Sequence, residues 1–481
     1  MKINKLQEGV GNIPEQRITD FSHVPEFHIY PPFGGYLNDV NAFFKYKDKY
    51  HLFFQYGYYA NDTGLKVWMH LSSYDLVTWD YLGTPILADS PFDNKGVWSG
   101  NVFFDKDGTP VIVYYAYSYG ICFAYPEDLN DIDLKKWKKS TYNPVIPMQS
   151  EKDEFVVYDA SNVFLYGGKY CLLSGNKNLK TGRPTSYVFV SDDLKRWECK
   201  GEFFSPTELD GREDLACPNL TMLDEETYLF TVSSHLSGVL YYVGKIVDFK
   251  FKAVSNGRFN YHSGNEMGQS VFVDQGECVY KSWLTMRLKD ELLLGRCWSG
   301  VLTLPKTLKV DKNGNLEITP HKNVFNLFES VYKTKKTLNK SEFELPFKSK
   351  SFMMKINLKH DGKSGVKFAV GDGEQTVVYV DSRHKKLVLD HSKSSKEHSL
   401  CNKYMFEFRD YEYLPIVECP LEKTLDDVGI TVFFDKCVAE VFCEGKSIGK
   451  TFLPDVRSDK IILFTDSNAD FGVDIYQIKR S

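Results

Sequence analysis

What this chain lacks narrows its function first. Its 481 residues carry 59 Lys and Arg against 64 Asp and Glu, a net charge of −5, with no long basic block. Nucleic acid and anionic membrane surfaces are therefore poor partners. No apolar run is long enough to span a bilayer. Met1 to Glu8 contain no apolar core, so no signal peptide is expected and, unless a leader has been removed, the setting is cytoplasmic and reducing. The ten cysteines form no Cys-x-x-Cys pair and lack a neighbouring histidine set, which argues against zinc and redox motifs. No metal or cofactor is expected. Cys122, Cys171 and Cys297 fall in apolar runs and should be buried thiols.

What is abundant points to β-structure: 30 Tyr and 35 Phe, with many Val, Ile, Thr and Gly. Up to Gly300 one block recurs, in which a polar or small cluster leads through Asn or Ser into alternating aromatic and aliphatic residues. Its copies are Asn38-Asp39-Val40-Asn41-Ala42-Phe43-Phe44, Trp98-Ser99-Gly100-Asn101-Val102-Phe103-Phe104 and Asp159-Ala160-Ser161-Asn162-Val163-Phe164-Leu165. A fourth is Ala216-Cys217-Pro218-Asn219-Leu220-Thr221-Met222, and a weaker fifth is Gly268-Gln269-Ser270-Val271-Phe272-Val273. An interleaved Asp-Leu-x-x-Trp element, at Asp75/Trp79, Asp133/Trp137 and Asp193/Trp197, returns roughly every 60 residues.

Five copies with hairpin turns between them predict an all-β fold led by a five-bladed β-propeller. Asn313-Gly314 and Pro320 suggest a turn and a short linking helix, after which short alternating strands read as a β-sandwich. The expected division is residues 1–310 propeller, 311–332 linker and 333–481 sandwich.

The innermost strand of every blade lines one channel, so equivalent repeat positions converge. To within a residue those positions hold Asp39, Ser99, Asp159, Ala216 and Gly268. A lone Asp before Asn or Ser more often caps a turn; two at equivalent positions favour a site. Paired carboxylates are the equipment of glycoside hydrolysis, one attacking the anomeric carbon and the other protonating the leaving oxygen. Tyr36, Trp68, Trp98 and Trp283 could face sugar rings, although core packing is the commoner fate of a Trp.

These stretches resemble glycoside hydrolase family 32, the invertases, fructan hydrolases and sucrose-6-phosphate hydrolases. Tyr36 to Ala42 is similar to the nucleophile motif, which would make Asp39 the nucleophile with Asn38 beside it. Gln55 in Tyr50 to Tyr56 falls where the family binds fructose, and Trp68-Met69-His70 resembles its Trp-Gly-His element. Trp98-Ser99-Gly100-Asn101 resembles the Phe-Ser-Gly-Ser motif, and Tyr158-Asp159-Ala160 falls at Arg-Asp-Pro, whose Asp holds fructose hydroxyls. Gly300 to Leu308 resembles the propeller exit, and Phe433 to Phe442 the strands of the family's sandwich.

Three departures stand out. Val40 and Ala42 replace Pro and Gly, Tyr158 replaces Arg, and Ala216 replaces the Glu that acts as general acid before Cys-Pro. In an extended strand Glu213 faces away from position 216, and Asp214 lies roughly 7 Å along it, so neither is well placed to substitute. The preserved Cys217-Pro218-Asn219-Leu220 favours an engineered removal of the acid; Tyr158 and Val40 favour natural drift.

The resemblance implies a retaining β-fructofuranosidase acting on sucrose, phosphorylated sucrose or a fructan, impaired at its acid position. A non-catalytic carbohydrate-binding propeller, a fructosyltransferase and a furanosidase of altered specificity stay open. Lys66, Arg183 and Arg212 are the basic residues that a phosphosugar could use.

Overall fold

The computed structural model describes residues 16–61, 65–148, 154–155, 157–175, 177–209, 211–261, 266–286, 290–395, 415–422 and 427–479. Met1 to Glu8, read above for a leader, lie outside them. The molecule is an all-β, five-bladed propeller followed by a β-sandwich. Blade 1 is built from Gly35–Tyr46, Lys49–Gly57, Lys66–Ser73 and Asp80–Ile86. Blade 2 starts at Val97–Phe104 and blade 3 at the short strand Phe164–Tyr166. Blade 4 comprises Ala216–Met222, Tyr228–Ser234, Gly238–Val247 and Lys250–Arg258. Blade 5 comprises Glu266–Asp274, Glu277–Leu284, Lys306–Val310 and Leu316–Pro320. Trp298–Ser299 pairs in parallel with Gly35 and Tyr36, and Leu302 bridges Ile29, tying the last blade to the first.

The Asp-Leu-x-x-Trp element is a turn rather than part of a site. Its leucines Leu76, Leu134 and Leu194 take left-handed backbones with φ of 69°, 47° and 63°. In each copy the indole N–H donates to the leucine carbonyl, at 2.9, 2.7 and 3.3 Å. Asp75 and Asp193 each accept two backbone N–H groups in the same turn, holding a conformation that L-residues rarely adopt.

The segment 311–332, expected as a linker, contributes strand to both domains. Leu316–Pro320 pairs with Lys306–Val310 as the outer edge of blade 5, and Phe328–Asn339 opens the sandwich. Buried Leu316 and Ile318 alternate with exposed Glu317 and Thr319, the period of a half-buried strand. Between them lies only the 3₁₀ turn Lys322–Leu327, capped by His321. The sandwich stacks two six-stranded sheets around a core that includes Phe352, Phe368, Phe434 and Val441. Cys122 and Cys171 are buried as expected, whereas Cys297 follows the helix Asp290–Arg296 and is partly exposed. Among the described residues no helix is long and apolar enough to cross a membrane.

Buried charge joins the two domains. Asp435 of the sandwich accepts the backbone N–H groups of Glu26, Phe27 and His28 at 2.7, 2.8 and 3.0 Å. Its Oδ2 also meets His28 Nδ1 at 2.9 Å, while His28 Nε2 meets Glu440 at 3.2 Å. Glu440 takes the Leu304 N–H at 2.6 Å and Lys306 at 3.3 Å, and Lys306 reaches Glu266 at 3.2 Å. A carboxylate against each ring nitrogen requires both to donate, so His28 is an imidazolium. Burial pulls its pKa down, but Asp435 and Glu440 outweigh this and hold it above the ordinary value. Burial also opposes the charge on Glu440, yet Lys306 and His28 bring its carboxyl down to about 2.

The Glu440 contribution to stability is complete above the ordinary Glu value and is lost as pH falls toward about 2. That of His28 is complete below the ordinary His value and is lost as pH rises through its raised value. Glu440→Gln is expected to cost about 3–5 kcal/mol at neutral pH, because it leaves buried partners uncompensated. Denaturant unfolding between about pH 3 and pH 8 measures this. An unchanged midpoint would mean that the network adds no net stability.

Candidate active site

The inner strands of blades 1, 2, 4 and 5 are irregular near their first residues. Register shifts fall between Leu37 and Val40, Val97 and Gly100, Ala216 and Asn219, and Met267 and Ser270. Such bulges re-aim side chains that a regular strand would send into the blades. Asp159, just before the inner strand of blade 3, has φ 53°, and Cys217 and Gly268 have φ 48° and 56°. Only glycine fits at position 268: a Cβ there would lie 2.1 Å from Asp39 Oδ1.

The bulges bring Asp39, Ser99 and Asp159 into one cluster. Ser99 Oγ donates to Asp39 Oδ2 at 2.5 Å. From blade 4 the side chain that reaches the carboxylates is Cys217, one residue beyond Ala216. Its Sγ lies 3.5 Å from Asp39 Oδ2 and 3.5 Å from Asp159 Oδ2, and its backbone N–H donates to Asp159 Oδ2 at 3.0 Å. Ala216 is itself buried, 3% exposed, at the first position of that strand. Sequence reasoning passed over Cys217 because a simple repeat alignment cannot register the bulge.

Burial dominates the electrostatics. It pushes the Asp39 carboxyl up, against the pull of Ser99, Cys217, His235 and Lys66. Burial and the charge of Asp39 push Asp159 up to about 7. The two carboxyls titrate as a coupled pair. Lys66, lowered to about 7 by burial and pulled back by Asp39, packs its ammonium 4.7 Å from the centre of the Tyr36 ring. Of the basic residues a phosphosugar could use, Lys66 acts on Asp39; Arg183 is exposed and donates to the Pro206 carbonyl at 3.3 Å, and Arg212 is exposed. Asn38 Oδ1, Gln55 Oε1 and Asp159 Oδ1 are buried with no hydrogen-bond partner among the described residues. Acceptors in that state suit hydroxyl donors.

The aromatic residues divide. Trp98 is half-buried and stacks on exposed Tyr117 at 4.4 Å, with Tyr158 edge-on at 6.5 Å. Trp68 is wholly buried between blades 1 and 2, where its indole N–H donates to the Trp98 carbonyl at 2.9 Å. Trp283, 2% exposed, packs edge-on against Tyr36 at 5.7 Å. Trp98 thus offers a face at the mouth, while Trp68 and Trp283 pack behind it.

The chain's likeness to known proteins follows these features. Residues 28–320 match the family pattern described as the Glycosyl hydrolases family 32 N-terminal domain, and residues 323–478 match its C-terminal counterpart. The chain belongs to glycoside hydrolase family 32. An insoluble β-fructofuranosidase of Arabidopsis thaliana, isoenzyme CWINV4, is 27% identical over 417 residues, which is 79% of this chain and 66% of that protein. A cell wall β-fructofuranosidase of Zea mays is 33% identical over 179 residues, 36% of this chain and 30% of that protein. The chain spans less than two thirds of the length of these curated relatives.

Among family 32 folds, fructan 1-exohydrolase IIa from Cichorium intybus superimposes with a TM-score of 0.81 at 18% identity, covering 96% of this chain and 98% of that one. Sucrose-6-phosphate hydrolase from Lactobacillus gasseri gives 0.77 at 22% identity, covering 95% and 93%. The curated relatives are named as insoluble or cell wall enzymes, which overturns the expectation of a cytoplasmic setting.

Gly268→Ala tests the packing of the channel. The left-handed backbone alone should cost about 1–3 kcal/mol, and the overlap with Asp39 adds to it, so a lower Tm is expected. An unchanged Tm would mean that the channel relaxes around the carboxylate.

Proposed function

We propose that this chain cleaves terminal β-fructofuranosyl residues from sucrose, phosphorylated sucrose or fructo-oligosaccharides by a retaining mechanism. Asp39 is the attacking carboxylate and Asp159 holds fructosyl hydroxyls. The observation that carries this reading is the cluster itself: two carboxylates within reach of one thiol, in a member of a glycosidase family. Ser99 and Lys66 favour the charged form of Asp39 that nucleophilic attack requires. Asp159 can donate to a sugar hydroxyl while protonated and accept from one once ionised. Asn38 and Gln55 add buried acceptors for further hydroxyls, and the Trp98–Tyr117 face suits the neutral ring of a leaving sugar.

Ala216 stands where the family's acid would be. An alanine cannot donate a proton, and general acid catalysis is worth roughly 10²–10⁴ in rate. The same alanine favours a second reading, a propeller that binds fructosides without turning them over. Fructose release from sucrose, sucrose 6-phosphate, inulin and levan separates the two. Ala216→Glu is expected to release fructose from at least one of them, with kcat up to about 10⁴ above that of the unaltered chain, and Asp39→Ala to abolish that release. If neither version releases fructose from any of the four, the fructosidase reading fails.

A further inference from the structure

Position 216 carries no proton, but blade 4 brings another titratable group to the same mouth. Ala216 pairs with Ser233, and the chain then turns through Ser234 to Ser237 before its third strand. The two carboxylates just ahead of position 216 pin this turn. Ser234 Oγ donates to Glu213 Oε2, and Ser237 Oγ donates to Glu213 Oε1 at 2.7 Å. Asp214 accepts the His235 backbone N–H at 3.0 Å and meets its ring Nδ1 at 2.5 Å. The two contacts fix both the backbone and the ring of His235, whose side chain is 12% exposed against 8% for Asp214. A largely buried carboxylate on Nδ1 selects the ring's orientation and stabilises the imidazolium. The charge of His235 reaches the cluster, since it favours the ionised form of both Asp39 and Asp159.

We propose that His235, held by Asp214, donates the proton to the leaving oxygen in place of an acid at position 216. This rests on the retaining fructosidase reading above. As an Asp39 oxygen bonds to the anomeric carbon, the bond to the leaving oxygen breaks. Its electron pair stays on that oxygen, which takes the proton from His235 Nε2 and leaves a neutral imidazole. In the second half the imidazole removes a proton from water while the water oxygen bonds to the anomeric carbon. The ester electron pair returns to Asp39, and His235 ends protonated.

The other candidates on blade 4 serve this role less well. Both oxygens of Glu213 are occupied by Ser234 and Ser237. Burial and the two carboxylates hold the Cys217 thiol well above its ordinary value, and it lies against the nucleophile. The charged groups that interact with His235 are Asp214 on its own blade, Asp39 of blade 1 and Asp159 of blade 3. Arg258 donates to the Ser237 carbonyl at 3.1 Å.

The test compares two leaving groups on the full chain: sucrose, which needs protonation, and 4-nitrophenyl β-fructofuranoside, whose phenolate leaves with little help. His235→Gln is expected to lower kcat/KM on sucrose by about 10²–10⁴ and on the aryl fructoside by less than about 10-fold. The fall in sucrose activity at alkaline pH, where the imidazolium is lost, should disappear with it. In an Ala216→Glu background the same substitution should cost less than about 10-fold on both substrates, because the glutamate takes over the proton. Equal losses on both substrates in the unaltered background would assign His235 a structural role and overturn the proposal. So would Asp39-dependent cleavage of the aryl fructoside with no turnover of sucrose, an outcome that leaves the retaining reading intact. Failure to cleave either substrate overturns both.

Discussion

The negative charge on Asp39 is the constraint around which the centre of this molecule is arranged. A carboxylate removed from water is costly unless hydrogen bonds and opposite charge compensate it. Here the compensation comes from four directions: the Ser99 hydroxyl, the Cys217 thiol, His235 and Lys66. Burial, together with that same charge, works against a second charge nearby and pushes the Asp159 carboxyl up to about 7.

Aiming those groups inward requires a bulge or a left-handed residue at the head of the inner strands, and such backbone persists only where its surroundings enforce it. The domain interface supplies part of that enforcement. His28, locked between Asp435 and Glu440, lies seven residues before the strand that carries Asp39. Glu266, which takes Lys306, opens the strand on which Gly268 backs against Asp39. The network therefore anchors both strands that meet at Asp39. The sandwich is joined to the carboxylate cluster through these two anchors.

Much of this was legible in the chain. The recurrence of one block predicted five blades because an inner strand must look alike wherever it repeats. It also predicted that Asp39, Ser99 and Asp159 would meet. Other readings needed the fold. Leu316 to Pro320 is too short to stand out from turn residues until blade 5 offers it an edge. Trp68 and Trp283 carry the same residue type as Trp98, and only packing separates a face open to solvent from one against Phe53 or Tyr36. His235 belongs to no repeat and becomes visible only when Asp214 is seen across the turn.

The sequence by itself determined the architecture and the identity of the central groups, because hydrophobic period and repeat length act locally and survive without coordinates. It also fixed one chemical limit, since an alanine at position 216 has no proton to donate under any fold. Tertiary structure decided which neighbours share the work. A one-residue bulge turned Cys217 rather than a regular strand position toward the carboxylates, and burial raised Asp159 and lowered Lys66. Both effects depend on distances between blades far apart in the chain, which a linear sequence does not carry.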